Sequence, residues 1–110
     1  MKNLITCIAL FATIPSFAAE KMLHVPSDSK ATYIVLDKSG KGNLRTIVTK
    51  RMGLSGDSFS KRLYNCKNQT VKYIGTGDTL AEMKASKPKD KMSEIVPGAI
   101  ADYVGIEACK

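Results

Sequence analysis

The feature that most constrains the fold is a series of β-like runs between residues 32 and 74, joined by short polar connections. Residues 32–36 are a β-branched and aromatic run that leads into a predicted turn over 37–40, and residues 44–52 alternate between two faces. Residues 59–66, in which Arg62 and Tyr64 share one face, and residues 70–74 complete the series. An antiparallel pair needs only a hairpin connection, whereas a parallel pair needs a crossover of about a dozen residues or more. The spacing therefore predicts a four-stranded antiparallel meander.

Two helices are predicted after the fourth strand. Gly75-Thr76-Gly77 lacks the third glycine and the following lysine of a phosphate-binding loop, so it predicts only a turn from strand to helix. Thr79 and Glu82 have the spacing of a capping box, which favours a short helix to about Ser86. A second helix is predicted over 99–109, because a mostly apolar stripe has helical spacing. The stripe consists of Ile100, Tyr103, Val104, Glu107 and Ala108.

These elements predict an α+β fold, with the C-terminal helix covering the four-stranded sheet. Residues 32–110 are long enough for one domain. Residues 19–31 are polar and weakly patterned, so we expect an arm leading into the domain, in which 22–25 favour a short strand.

The N-terminus predicts export. A short basic start precedes an apolar run over 4–14, and Ser16 and Ala18 supply small residues at the −3 and −1 positions of a cleavage site. We therefore interpret 1–18 as a cleaved signal peptide and expect a periplasmic or secreted protein. Cys7 interrupts the apolar run instead of following it, so lipidation is not expected. No later segment is apolar enough to span a bilayer.

Export leaves Cys66 and Cys109 in an oxidising compartment, where two cysteines favour one disulfide. In the chain-entropy model, closing a loop of this length stabilises the fold by roughly 4 kcal/mol. The alternative is a reactive thiol pair, which would favour a close C-x-x-C spacing.

Positive charge is concentrated in residues 38–72, which contain nine basic residues and a single acid, Asp57. Such a concentration favours an acidic partner, either a protein or an envelope surface. The alternative is that lysines on strands keep sheet edges soluble. The candidate binding residues, expected on the exposed face of the sheet, are Arg45, Lys50, Arg51, Lys61 and Arg62. Nucleic acid is not expected as a partner, because the protein is exported and lacks an aromatic-rich binding strand.

Catalytic and metal sites are not predicted. The single histidine, His24, lies in the arm, and no pair of carboxylates stands out at a strand end. Met22 and His24 could suit Cu(I), but two ligands on an arm do not make a metal site. We expect no enzyme activity, no cofactor and no metal.

One arrangement resembles a known family. A basic, aromatic strand over 59–66 ends in Cys66, and 95–100 lead into a terminal helix that ends at Cys109. Over 32–110 this layout resembles the surface-adhesin protein E family and its small exported relatives. The resemblance implies an antiparallel sheet packed by a C-terminal helix, with the two cysteines bridged. It also implies adhesion at the cell surface.

The sequence therefore predicts a small, basic, exported protein of the bacterial envelope that works by binding. The alternative function is a periplasmic inhibitor or immunity protein that neutralises a secreted effector or hydrolase.

Overall fold

The structure is a computed structural model that describes residues 20–110. Within this range, six antiparallel strands form a sheet in which each strand pairs with its neighbours along the chain. The strands are β1 (Lys21–Leu23), β2 (Thr32–Lys41), β3 (Leu44–Gly53), β4 (Gly56–Asn65), β5 (Thr70–Gly77) and β6 (Ser93–Glu94). A one-turn 3₁₀ helix, Pro26–Asp28, follows β1, and the two α-helices are α1 (Leu80–Ala85) and α2 (Ile100–Ala108). The predicted signal peptide and Cys7 lie outside the described residues.

The predicted α+β fold with an antiparallel sheet is confirmed, but the predicted number of four strands is wrong. The additional strands are β1 and β6, which contain three and two residues and lie at the two edges of the sheet. β1 overlaps the short strand expected over 22–25 in the arm, whereas β6 was not predicted, because a strand of two residues shows no usable periodicity. Among residues 20–110, no helix has the length and apolar character needed to cross a membrane.

Two predicted turns are also wrong, because the strands continue through them. β2 extends through residues 37–40, where a bulge at Leu36 lets Lys38–Lys41 pair with Ile47–Leu44 of β3. Gly75 and Gly77 lie inside β5, where α1 crosses the strand closely. A Cβ on Gly75 would lie 2.7 Å from the carbonyl oxygen of Met83, so a larger residue would push α1 away.

The core lies between the sheet and α2, and we call this side of the sheet the α2 face. Its buried members are Val35, Ile47, Tyr64 and Val71 from the strands and Val104 and Ala108 from α2. Of the apolar stripe predicted for the C-terminal helix, Val104 and Ala108 lie in this core and Ile100 packs against it. The hydroxyl group of Tyr64 donates a hydrogen bond of 2.7 Å to the carbonyl oxygen of Ala101 in the first turn of α2.

The predicted disulfide is confirmed. Cys66 directly follows β4, and Cys109 caps the C-terminal end of α2; their sulfur atoms are bonded. The disulfide thus attaches the end of α2 to the strand that carries Tyr64.

The predicted capping box begins α1, which lies on the opposite side of the sheet; we call this side the α1 face. The Thr79 side chain accepts a hydrogen bond from the backbone N–H of Glu82, and the Glu82 carboxylate accepts one from the N–H of Asp78. Met83 is the buried residue of α1, and it faces Val48 and Ile74 of the sheet. Each face of the sheet therefore carries one helix.

Candidate functional site: a basic apolar groove beneath the first helix

The five predicted binding residues do not share one exposed face of the sheet. Arg45, Arg51 and Arg62 contact groups on the α2 face, whereas Lys50 and Lys61 lie on the α1 face. Arg62 is only 4% exposed, so its expected place on an exposed surface is wrong. Strand alternation separates the five residues, because neighbouring residues of a strand point to opposite faces.

Arg45 and Arg51 hold other segments of the chain against the sheet. Arg45 donates hydrogen bonds to the carbonyl oxygens of Gly42 and Lys110, at 2.8 and 3.0 Å. Arg51 forms a two-point ion pair with Asp28, with Nε–Oδ2 at 2.6 Å and Nη2–Oδ1 at 3.2 Å. Both guanidinium groups thus have internal acceptors.

Asp28 also accepts a hydrogen bond of 2.6 Å from the hydroxyl group of Tyr33. The hydrogen bonds from Arg51 and then Tyr33 lower the pKa of Asp28. Burial, together with the hydrogen bond to Asp28, raises the pKa of Tyr33 to about 12. This group ties the 3₁₀ helix to the sheet, so residues 20–31, expected to form an arm, are attached at both β1 and Asp28.

A second charged group surrounds Glu107, which is 4% exposed. Its carboxylate accepts hydrogen bonds from Lys21 at 2.9 Å and Lys38 at 3.0 Å, and it forms an ion pair with Lys110 at 3.1 Å. Burial alone would raise the pKa of Glu107, but the hydrogen bonds from the three lysines outweigh it and lower the pKa to about 2. This group joins β1, β2 and the C-terminus to α2.

On the α1 face, Lys50 also has internal partners. Its Nζ lies 5.7 Å from the centre of the Phe59 ring and 3.6 Å from a carboxylate oxygen of Asp57. Lys61, in contrast, borders a groove of about 920 Å³ between the sheet and α1. We call this the α1 groove.

The floor of the α1 groove is apolar and combines three strands with one helix. Leu36 of β2, Val48 of β3 and Ile74 of β5 come from the sheet, and Leu80 and Met83 come from α1. Leu36 and Ile74 lie at the bulges of β2 and β5, where the register of strand pairing shifts. A volume of this size is within the range of ligand pockets, about 300–1,000 Å³.

The rim of the α1 groove carries basic residues on one side and acidic residues on the other. Lys61, Lys84 and Lys87 stand on the side of β4 and α1, whereas Glu20 and Asp37 stand on the side of β1 and β2. In the part of the chain that the structure describes, none of the three lysines forms an ion pair. The groove can therefore accept an anionic group beside an apolar floor.

Of these rim lysines, only Lys61 was among the predicted binding residues. Lys84 and Lys87 lie outside the basic stretch over 38–72, so the charge distribution along the chain did not single them out. A usable signal was present in the predicted helix, where Leu80, Met83 and Lys84 have the spacing i, i+3, i+4. This spacing places Lys84 beside the two apolar residues on one side of the helix, whereas Lys87 follows the helix and could not be placed in this way.

Within residues 20–110, no group of three or more His, Cys, Asp and Glu side chains is placed to hold a metal ion. His24 follows β1 and is exposed. No protein-family model matches this chain, and no curated protein or solved structure matches it either.

Proposed function

We propose that the protein is a non-enzymatic binding protein that acts after export, in the periplasm or outside the cell. We further propose that the α1 groove binds an anionic amphiphile of the envelope, such as an acyl chain with a carboxylate or phosphate group. The observation that carries this proposal is the joining of an apolar floor to three lysines that lack ion-pair partners among the described residues.

The floor and the rim have separate roles in this proposal. Leu36, Val48 and Ile74 offer apolar surface whose removal from water would supply most of the affinity, at about 25 cal/mol per Å². Lys61, Lys84 and Lys87 would orient the ligand by attracting its anionic end to the α1 side of the groove. The acidic side, with Glu20 and Asp37, would repel that end.

Calorimetric titration with dodecyl phosphate, below its micelle concentration, tests the proposal. We expect saturable binding that weakens as salt is added, because exposed charges are screened. Dodecyl maltoside, which has the same chain and no charge, should bind more weakly. Equal affinity for both detergents, or no saturable binding, would contradict the proposal.

Matched variants locate the binding site. Changing Lys84 or Lys87 to Gln should weaken dodecyl phosphate binding by about twofold to fivefold, the range of an exposed charge pair. Lys41→Gln, at the end of β2, and Lys67→Gln, in the turn after β4, remove exposed lysines outside the groove and should leave the affinity unchanged. If all four variants bind alike, the ligand does not occupy the α1 groove.

The apolar floor is tested by a second pair of variants, one in the groove and one outside it. Leu80 is 39% exposed, so Leu80→Ser should be tolerated by the fold while weakening binding by about tenfold. Leu44→Ser, at an exposed leucine outside the groove, is the control and should have no effect on binding.

The hairpin between β3 and β4 supports a second candidate function, the inhibition of an exported enzyme. Its ladder runs without a register shift from Leu44 and Asn65 to Gly53 and Gly56, and Leu54 at its tip is 90% exposed. A regularly paired hairpin that presents an apolar side chain is suited to insertion into the pocket of another protein. A pull-down from envelope extract and culture medium should then retain one enzyme on the wild type but not on Leu54→Asp. Retention of the same enzyme by both would exclude the hairpin as the inhibitory element.

A further inference from the structure

Arg62 is buried without an acidic partner in the described part of the chain. It lies in β4 on the α2 face, and its side chain donates hydrogen bonds to two neutral oxygens. One is Oγ1 of Thr49, at 3.2 Å from Nη1, and the other is the hydroxyl oxygen of Tyr73, at 3.0 Å from Nη2. The guanidinium carbon also lies 4.8 Å from the centre of the Tyr73 ring.

This environment is unusual for a buried charge. A guanidinium group removed from water is stabilised by an opposite charge and by hydrogen bonds that use its five N–H donors. Two buried or partly buried ion-pair groups of the α2 face meet this requirement: Arg51 pairs with Asp28, and Glu107 pairs with three lysines. Among residues 20–110, Arg62 forms no ion pair, and two of its donors have side-chain acceptors.

Arg62 also borders a cavity of about 340 Å³ between β5, β6 and the first turn of α2. Tyr73, Lys91 and Ser93 contribute further polar groups to its wall. The remaining lining residues are Val71, Lys72, Asp90 and Ala101. Arg62 and Lys91 are therefore the basic side chains of this cavity on the α2 face, Asp90 is the acid among its lining residues, and we call it the Arg62 cavity.

We propose that the Arg62 cavity binds a small oxyanion group, of the carboxylate or phosphate type. Such a group would supply the negative charge and the acceptors that the Arg62 guanidinium lacks, and Arg is well suited to bind planar or tetrahedral oxyanions with two N–H groups. The hydroxyl group of Tyr73 and the ammonium group of Lys91 would donate to the same anion. A free anion, a ligand headgroup and an acidic side chain of a partner protein share this chemistry.

The Arg62 cavity is independent of the proposed function. It opens on the α2 side of the sheet, whereas the α1 groove lies on the opposite side, and the two share no lining residue. Asp90 is the one acid of the cavity wall, and it would repel a bound anion. The site should therefore bind more tightly when Asp90 is neutralised.

The experiment is a nuclear magnetic resonance titration of the full mature protein with inorganic phosphate and, separately, with acetate, at constant ionic strength set by sodium chloride. The Nε–Hε signal of Arg62 and the backbone signals of Lys91 and Ser93 report on the cavity. We expect a saturable shift of these signals with at least one of the two anions. The anion that binds more tightly identifies the preferred oxyanion.

Variants at accessible positions keep the test independent of folding, since Arg62→Met removes a buried side chain and could unfold the protein. Tyr73→Phe and Lys91→Gln should each weaken binding by about threefold or more, and Asp90→Asn should strengthen it by a similar factor. Lys84→Gln, in the α1 groove, is the control and should leave anion binding unchanged. Shifts that stay linear in anion concentration, or saturable shifts that none of the three cavity variants alters, would overturn the proposal.

Discussion

Gly105 of α2 lies directly against the ring of Tyr64 of β4, so that a Cβ on Gly105 would stand 2.6 Å from Cε2 of the tyrosine. Tyr64 is fully buried, and its hydroxyl group is fixed by Ala101 one turn earlier in α2. The ring therefore cannot move away from the helix without breaking that hydrogen bond. This contact sets the distance between α2 and the sheet.

Gly105→Ala should therefore destabilise the protein. Alanine is the better helix former by about 1 kcal/mol. A methyl group forced into a filled core costs about 1–3 kcal/mol, so after the gain in helix propensity we expect a net loss of up to about 2 kcal/mol in the free energy of unfolding. Urea unfolding followed by circular dichroism measures this loss. Ile106→Ala, at an exposed neighbour in the same helix, is the control and should change stability by less than about 0.5 kcal/mol. Greater stability in Gly105→Ala would show that α2 is not held at this distance.

The disulfide should contribute a larger share of the stability. Replacing both Cys66 and Cys109 with Ser removes a bond between residues separated by 43 positions. The chain-entropy model gives a loss of roughly 4 kcal/mol for a loop of this length. Unfolding in urea, compared with the wild type before and after reduction, measures the effect. A double variant as stable as the oxidised wild type would show that the disulfide does not stabilise the protein.

Features that depend on residues close together in the sequence could be predicted, whereas features that depend on contacts between distant segments could not. Helical spacing identified Val104 and Ala108 as core residues of α2, and strand alternation placed Arg62 and Tyr64 on one face of β4. Such patterns are local. They did not indicate which face α2 would cover, because both faces of the sheet carry apolar residues. For this reason Arg62 was expected on an exposed surface. It shares a face of β4 with Tyr64, which contacts α2, and on that face Arg62 is buried.

The charged groups show the same limit. Glu107 stood out as the one acid in a mostly apolar stripe, but its partners Lys21 and Lys38 lie 86 and 69 positions away. The α1 groove likewise combines β2, β3, β4, β5 and α1, so no single segment contains its pattern. Its basic rim could be predicted only in part, from the helical spacing of Lys84 with Leu80 and Met83 in α1.

Glu107 should make stability depend on pH in the acid range. Its pKa is about 2 in the folded protein against an ordinary value of 4.5. A carboxyl group whose pKa is lowered by folding stabilises the fold fully above its unfolded pKa, and this contribution is lost as the pH falls from about 4.5 to about 2. The loss should reach at most about 3 kcal/mol, from about 1.4 kcal/mol per pKa unit.

Urea unfolding at several pH values, on wild type and Glu107→Gln, measures this contribution. The variant should be less stable than the wild type at neutral pH, and the difference should shrink as the pH falls through the same window. The three lysines reach solvent, so they remain hydrated when the carboxylate is removed, and the variant should still fold. A difference that stays constant from neutral pH to pH about 2 would show that Glu107 is not ionised against these lysines.

Tyr33 should give a second pH dependence, in the alkaline range. Its pKa is raised from 10.0 to about 12, so its contribution to stability is present below about 10 and is lost as the pH rises through about 12. The absorbance difference between wild type and Tyr33→Phe reports the ionisation of this tyrosine alone. Asp28→Asn removes the carboxylate that accepts a hydrogen bond from the Tyr33 hydroxyl group and that repels the ionised tyrosine. The pKa of Tyr33 should then move toward 10 but stay above it, because burial is the larger cause of the shift. Ser29→Ala, next to Asp28 but outside its contact with Tyr33, is the control. An unchanged Tyr33 titration in Asp28→Asn would show that the 3₁₀ helix is not held to β2 through Asp28 and Tyr33.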